Sequence, residues 1–279
     1  MALKKSRFSR FNGRLALALP ASYYLTNTLR LLVHELGHGL MAKALGGEFV
    51  DLYLAPSVVG YAYWQGPENS PISDLWLDIL VTSAGVLATV LFWGIVLMIV
   101  SYEMHRRQNW LLSVLAIGGV TAIAYDLAYL TISPFLQWGD GYDLAQLLSA
   151  WVPFVTALLL LLFLFPTGLN LLGRAIQPYL NLDNIPRLSA FLIVTLLPSM
   201  LYGTLKAALF LPEQSQIQLI SLGALVAACI LGAPLAWPVM RSQLHQPLAR
   251  PAYVPGWLVG MLLVAVLAVE FSCTWYFGF

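Results

Sequence analysis

The sequence predicts an all-α polytopic membrane protein with about seven transmembrane helices and a short β-hairpin between the first and second helices. Of the 279 residues, 59% are hydrophobic and only 10% are charged, whereas a soluble domain carries about 25% charged residues. Apolar stretches also recur at roughly the 20 residues that a helix needs to cross a bilayer. So few charged residues cannot cover a water-facing surface, and the composition therefore argues against a soluble enzyme, a disordered chain or a nucleic-acid-binding protein.

Seven stretches are long and apolar enough to be transmembrane helices. In hydrocarbon, only helices and closed barrels satisfy the backbone, and these stretches are too long and too continuously apolar for barrel strands. They run from Ala21 to Leu45, Trp76 to Val100, Trp110 to Ser133, Leu144 to Phe165, Leu188 to Leu211, Ile217 to Met240 and Gly256 to Phe277.

Basic residues are concentrated on one side of this seven-helix arrangement. Cytoplasmic loops collect Lys and Arg, so we expect a cytoplasmic N-terminus in an integral multi-pass protein of a bacterial plasma membrane. The loops on the opposite side contain no Lys or Arg. The basic residues on the cytoplasmic side are Lys4, Lys5, Arg7, Arg10, Arg14, Arg106, Arg107, Arg174, Arg187, Arg241 and Arg250.

The unusual polar residues divide the chain into four parts. Residues 1–20 form a basic segment that we expect at the membrane surface. Residues 21–165 form a four-helix core that contains nearly all the unusual polar groups. Residues 166–187 are expected to be an interfacial helix or loop, and residues 188–279 form a C-terminal region of three helices.

The first helix carries the segment His34-Glu35-Leu36-Gly37-His38. Histidines at i and i+4 lie one turn apart on one helix face, so both imidazoles can reach a single zinc ion. Glu35 lies beside them, where it can act as a general base rather than bind the metal. The alternative is a buried polar cluster without metal, but ionisable groups within a membrane helix are costly and usually functional. The pattern therefore predicts a zinc site.

Two further polar residues precede His34 on the same helix. Asn27 and Arg30 lie seven and four residues before it, near the same direction, and we expect both to line the same cavity. Arg30 is explained equally well as an ion-pair partner of an acidic residue on another helix. Lys206 and Glu270, in two later helices, are expected to pair with each other.

A catalytic zinc usually has three protein ligands and one open position, so a third ligand is needed. Asp140 is favoured because it lies between two glycines, which let the backbone approach a metal closely. Asp126 and Asp143 remain alternatives, although Asp143 can instead cap the N-terminus of the fourth helix, where a carboxylate is stabilising. His105 and His245 fall in basic loops and are expected to be solvated.

Residues 48–56 and 58–64 have an alternating pattern of side chains and are rich in β-forming residues. This pattern predicts two short strands around Pro56-Ser57. The alternative is an interfacial loop with an aromatic belt. The functional interpretation is an edge strand beside the active site that holds an unwound substrate segment by backbone pairing.

These motifs together resemble the site-2 protease family of intramembrane zinc metalloproteases, and most closely its compact branch without a PDZ domain. The resemblance covers about residues 21–165. It rests on the histidine segment, then Ala44-Leu45-Gly46-Gly47, Ser83-Ala84-Gly85 and Asp140-Gly141. It implies that His34, His38 and Asp140 are metal ligands and that Glu35 is the general base.

The sequence departs from the family where the chain approaches Asp140. Typical members have an Asn-Pro-rich stretch before Leu-Asp-Gly, whereas residues 131–139 here contain no asparagine. Arg30, Asn27 and Gln137 are the candidates to replace that asparagine in stabilising an oxyanion. Relatives place the catalytic end near the cytoplasm, whereas the distribution of basic residues here places it towards the outer face.

The leading functional prediction is a zinc metalloendopeptidase that hydrolyses peptide bonds in or near the membrane. The expected cofactor is Zn²⁺, the expected partners are a membrane-protein substrate and the lipid bilayer, and no nucleic acid is expected. The alternative is a non-enzymatic zinc-binding membrane protein, either a protease relative that binds partners or a transport module. The presence of Glu35 argues against a degenerate protease, and the sequence shows no internal repeat of the kind that many transporters have.

Overall fold

The computed structural model describes residues 13–56, 59–67, 73–106, 109–176, 185–210 and 254–277, together with 216, 218–220, 222–223, 226, 230 and 233–239. These residues are mostly helical, with one hairpin. The elements are α1 (Gly13–Ala44), β1 (Glu48–Ala55), β2 (Val59–Gln65), α2 (Asp74–Arg106), α3 (Trp110–Leu136), α4 (Asp140–Leu147), α5 (Trp151–Ile176), α6 (Ile185–Phe210) and α7 (Gly256–Phe277).

Four of these helices are long and apolar enough to cross a membrane, namely α2, α3, α5 and the Leu188–Phe210 part of α6. The protein is therefore an integral membrane protein, but the predicted count of about seven spans is not confirmed. Helix α1 has sufficient length, at 32 residues, but carries several buried polar side chains. In α7 the apolar part is the shorter Gly256–Ser272, and much of the predicted sixth span lies outside the described residues.

Helix α1 begins earlier than the sequence predicted. Among the described residues it already includes Gly13 and continues through Pro20, whereas the predicted helix started at Ala21. Ala18 and Leu19 are buried in a core that also contains Met104 of α2, and this burial explains why the segment continues the helix. Residues 1–12, with most of the predicted basic surface segment, lie outside the described residues.

The predicted helix from Leu144 to Phe165 is divided in two. Helix α4 ends at Leu147 and α5 begins at Trp151, with Pro153 in the first turn of α5, where a missing N–H breaks no helical hydrogen bond. Helix α5 then continues through Pro166 to Ile176. The first half of the segment 166–187 is thus part of α5, and residues 177–184 lie outside the described residues.

Strands β1 and β2 form the hairpin that the sequence predicted. They pair antiparallel from Glu48–Gln65 to Ala55–Val59, with an irregularity between Phe49 and Asp51. The predicted turn residue Ser57 lies outside the described residues. Ala55 and Val59, at the turn end, form a small buried cluster with Ala207 of α6, so the C-terminal region holds this end of the hairpin in place.

Helices α1 and α2 approach closely because small residues face each other. A Cβ at Gly37 would lie 2.5 Å from the Ala84 carbonyl oxygen and 2.6 Å from the Ala88 Cβ. At the other end of α2, Arg174 of α5 donates a hydrogen bond to His105 Nε2 at 2.8 Å. The basic ends of α2 and α5 therefore lie together, as the loop charges predicted, and His105 is exposed there.

Candidate metal centre

Three side chains from α1 and α4 converge on one point. Asp140 Oδ2 lies 2.8 Å from His34 Nε2 and 3.4 Å from His38 Nε2. One ligand atom from each of these three residues lies within 4.8 Å of the others. Among the described residues, no other group of three histidine, cysteine or acidic side chains has this spacing.

The outward ring nitrogens of both histidines have acceptors. His38 Nδ1 lies 2.7 Å from the backbone oxygen of Val81. Because a carbonyl only accepts, Nδ1 donates, and in the neutral ring Nε2 presents its lone pair. His34 Nδ1 lies 3.0 Å from Asp126 Oδ2. Metal-binding histidines commonly donate their second N–H in this way. Two imidazole nitrogens and one carboxylate, with a fourth position open, are a donor set that fits catalytic zinc.

Gly85 of α2 leaves the space into which these lone pairs point. A Cβ at this position would lie 2.8 Å from His34 Nε2 and closer still to His38 Nε2. The close contact of Gly85 is with the two histidine rings. A methyl group at this position would fill part of the space that a metal ion needs.

Asp140 is held in place by its neighbours. Its backbone N–H donates to the Tyr129 hydroxyl at 3.0 Å. Gly139 has φ +75° and ψ −171°, a conformation essentially restricted to glycine. A Cβ at Gly141 would lie 2.9 Å from the Leu130 carbonyl oxygen, so α4 lies directly against α3. The glycines that flank Asp140 therefore allow close packing against α3, and the predicted close approach of this backbone to a metal stays a prediction. Tyr129 carried no local sequence signal.

The two carboxyl groups of α4 have different surroundings. Burial raises the pKa of Asp140, but in the metal-free site the positive charge and N–H groups of protonated His34 and His38 outweigh this effect and hold its pKa below the usual range. Asp140 is therefore ionised, as a metal ligand must be. Burial, and then the charge of Asp140, raise the pKa of Asp143, which lines the same cavity but lies outside the three-residue group.

Glu35 is buried against the hairpin. Its residue is 6% exposed, and a Cβ at Gly60 would lie 2.5 Å from Glu35 Cγ and 2.8 Å from Oε1. Glycine at this position of β2 therefore leaves the room that Glu35 occupies. The sequence predicted an edge strand near the site but not this direct contact, because a glycine within a strand does not show which side chain it faces.

Arg30 has both of the roles that the sequence left open. Its Nη1 pairs with Asp126 Oδ1 of α3, and its residue also lines the cavity. Its Nε donates to Asn27 Oδ1 at 3.0 Å, and its guanidinium lies 4.3 Å from the centre of the Tyr125 ring. The expectation that Asn27 lines the cavity is wrong: Asn27 is buried behind Arg30 and is not among the lining residues.

The remaining sequence candidates lie away from the converging atoms. Asp126 contacts His34 at Nδ1, on the opposite side of the ring from Nε2, and is not in the three-residue group. Gln137 is exposed and does not line the cavity. His245 lies outside the described residues.

The site opens into a cavity of about 780 Å³. Strand β2 contributes a continuous row of lining residues that includes Gly60, Tyr61 and Ala62. Helix α6 contributes Leu196 and Met200. The C-terminal region therefore forms part of the wall of this cavity, which the sequence gave no reason to expect.

Comparison with known proteins gives a family match for the N-terminal part of the chain, residues 13–136. No curated protein and no solved structure gives a significant match to the chain. Residues 13–136 match the family model described as Peptidase M50B-like. The match includes both histidines and Glu35 but ends before Asp140, so the position of Asp140 is an independent observation. Over residues 13–136, the match confirms the predicted resemblance to site-2 protease-like peptidases.

Proposed function

We propose that the protein is an intramembrane zinc metalloendopeptidase that hydrolyses membrane-embedded or membrane-proximal peptide bonds. The observation that carries this proposal is the convergence of His34 Nε2, His38 Nε2 and the Asp140 carboxylate on one point of the cavity wall. Glu35, between the two histidines in sequence, lines the same cavity. The family match over residues 13–136 supports the same activity.

Each side chain of the centre has a distinct role in this reaction. A zinc ion held by His34, His38 and Asp140 would polarise the scissile carbonyl and lower the pKa of water to near neutral. Glu35 accepts the proton of the attacking water and later delivers it to the leaving amine. Its packing against Gly60 restricts where this carboxylate can lie.

The hairpin supports an extended substrate. Strand β2 lines the cavity on the side of Glu35, and β1–β2 is a two-stranded sheet among the described residues. A peptide segment that lies alongside β2 can form backbone hydrogen bonds as an added strand. A helical membrane segment would have to unwind to bind in this way, and this step selects segments of low helical stability.

The decisive experiment combines metal content with cleavage in Glu35→Gln. The amide is close to the carboxylate in size, so the variant keeps zinc. It cannot accept the proton of the attacking water, and cleavage of a membrane-embedded reporter should fall by about a hundredfold to ten-thousandfold. Glu48→Gln, an exposed glutamate at the start of β1, is the matched control and should cleave normally.

Two outcomes would contradict the proposal. If Glu35→Gln cleaves the reporter at the wild-type rate, Glu35 is not the general base. If the wild type binds zinc but cleaves none of a panel of membrane segments, including segments weakened by helix-breaking residues, the non-enzymatic zinc-binding alternative is favoured.

We also propose that the N-terminus is cytoplasmic, because the described basic side chains Arg106 and Arg174 lie together at the ends of α2 and α5 away from the hairpin. Cysteines placed at Gln65 and at Arg106, with Cys229 and Cys273 replaced by serine, test this orientation. A membrane-impermeant reagent applied outside should label position 65 and not position 106. The reverse labelling pattern would invert the orientation.

A further inference from the structure

We propose that Asp126 and Arg30 are positioning residues for His34. They fix the orientation of its ring and determine that Nδ1 carries the proton, so that Nε2 is available as a ligand. This inference rests on the zinc site of the proposed function, but it concerns residues that the family match does not assign a role. Asp126 then acts on the metal through His34, instead of being the third ligand that the sequence allowed.

Asp126 determines which nitrogen of the His34 ring carries the proton. Its side chain is completely buried and its two oxygens have different partners. Oδ1 pairs with Arg30 Nη1, and Oδ2 lies 3.0 Å from His34 Nδ1. A carboxylate only accepts hydrogen bonds, so Nδ1 carries the proton, and in the neutral ring that binds a metal Nε2 is left with its lone pair. His38 is in the same state through the Val81 carbonyl.

Arg30 fixes the orientation of the side chain at position 126. A guanidinium has five N–H donors and no acceptor, so the oxygen facing Arg30 must always be an acceptor. Asn27 and the Tyr125 ring hold the guanidinium in place. An accepting atom of residue 126 must therefore face Arg30, and the other terminal atom of that side chain faces His34. In the wild type both atoms accept, so Arg30 fixes the position of the Asp126 carboxylate against His34 and not the choice of atom.

The consequence appears when Asp126 is changed to asparagine. Arg30 then takes the amide oxygen, and the amide nitrogen is turned towards His34 Nδ1. That nitrogen only donates, so neutral His34 must accept at Nδ1 and carry its proton on Nε2. The lone pair that faces Asp140 is lost, although the side chain at residue 126 has almost the same shape.

The same reasoning makes the effect depend on Arg30. In Arg30→Met/Asp126→Asn the guanidinium no longer holds the amide oxygen. The amide can then turn and accept from His34 Nδ1–H. The double variant should therefore bind zinc more tightly than Asp126→Asn alone, although it has lost one more native side chain. A purely structural ion pair would also recover stability when both partners are removed, so the discriminating readout is the Co²⁺ spectrum, which reports whether His34 Nε2 is in the coordination sphere.

The experiment measures zinc affinity in the purified full chain for the wild type, Asp126→Asn, Arg30→Met/Asp126→Asn and the control Asp51→Asn. Asp51 is exposed on β1 and is not among the cavity-lining residues. Zinc affinity should fall by about 10–100-fold in Asp126→Asn, the usual effect of changing a partner of a metal-bound histidine. It should recover in the double variant and stay unchanged in the control. With Co²⁺ as the probe, Asp126→Asn should show visible absorption bands shifted from those of the wild type, because one imidazole has left the coordination sphere.

Each outcome bears on a different claim. A zinc-binding wild type together with an Asp126→Asn variant of equal affinity and an identical Co²⁺ spectrum would overturn the positioning role and leave the proposed function intact. A double variant that binds zinc no better than Asp126→Asn would overturn the role of Arg30. A wild type that binds no zinc would overturn the proposed function, and this inference with it.

Discussion

Two groups of buried ionisable side chains differ in how their donors and acceptors match. Between α1, α6 and α7, Lys206 Nζ donates to Glu270 Oε2 at 2.7 Å and the Tyr24 hydroxyl donates to Oε1. Each oxygen of that carboxylate therefore receives a hydrogen. The sequence predicted this Lys206–Glu270 pair, and the structure contains it.

The metal centre has the opposite arrangement. The Nε2 atoms of His34 and His38 and the carboxylate of Asp140 face one another. Because both outward Nδ1 atoms donate to fixed acceptors, all three facing groups are acceptors when the histidines are neutral. Acceptors that converge in a buried position repel one another unless a proton or a metal cation lies between them.

The difference shows that an ionisable residue within a membrane helix is not by itself evidence of function. Lys206 and Glu270 satisfy each other and attach the C-terminal helices to α1. The three residues of the metal centre satisfy one another only with a cation. Substitutions in the metal centre should therefore change zinc binding, whereas substitutions of Lys206 and Glu270 should not.

The largest effect is expected for Asp140→Asn. The neutral amide is a poor zinc ligand, and its nitrogen would present N–H donors to the Nε2 lone pairs. Zinc affinity should fall by more than the roughly 100-fold upper range for changing an outer partner. Elemental analysis and competition with a chelator measure this loss.

The control for Asp140→Asn is Asp143→Asn, three residues later in the same short helix. Asp143 lines the cavity but lies outside the converging group, so zinc affinity should stay at the wild-type value. If instead Asp143→Asn loses zinc and Asp140→Asn retains it, the third ligand is Asp143 and the geometric argument is wrong.

An intermediate effect is expected for Gly85→Ala. The added methyl group would contact the Nε2 atoms of both histidines, so zinc affinity should fall while the helix itself remains intact. Gly94→Ala on the same helix is the matched control, because a Cβ there meets no atom within 4 Å. The control should keep zinc and gain up to about 1 kcal/mol from the better helix propensity of alanine. Equal zinc affinity in both variants would show that Gly85 does not border the metal position.

The parts of the site that could be predicted from sequence are those with a fixed spacing along one element. The i, i+4 histidines share a face of α1 because of the helical repeat, whatever the helix packs against. The alternating residues of β1 and β2 similarly predict a hairpin from local preference. Asp140 was favoured because glycines flank it, and Gly139 does have the positive φ that explains one of them.

The parts that could not be predicted depend on contacts between elements that are distant in sequence. The Val81 carbonyl, Tyr129 and Gly60 have no local pattern that marks them, and each acts only because another helix or strand brings it to the site. The choice between Asp126 and Asp140 is of the same kind, since it depends on which nitrogen of His34 each carboxylate faces. The early start of α1 follows from the burial of Ala18 against α2 and α3, which its sequence position does not reveal.

The smallest effect on zinc binding is expected for Lys206→Met, which disrupts the hydrogen-bonded group of Lys206, Glu270 and Tyr24. Removing one partner of a buried pair leaves an uncompensated charge and costs about 3–5 kcal/mol; the Glu270 side chain is 16% exposed, so a value at the lower end is expected. Lys206→Met/Glu270→Gln removes both charges and should recover most of the lost stability, because the amide oxygen can still accept from Tyr24. Thermal unfolding in detergent measures these changes, with zinc content determined on the same samples. Zinc should stay at the wild-type level in both variants, because neither Lys206 nor Glu270 belongs to the converging group or lines its cavity. Loss of zinc from folded Lys206→Met would show that the two groups of buried charges are coupled and that the distinction between them fails.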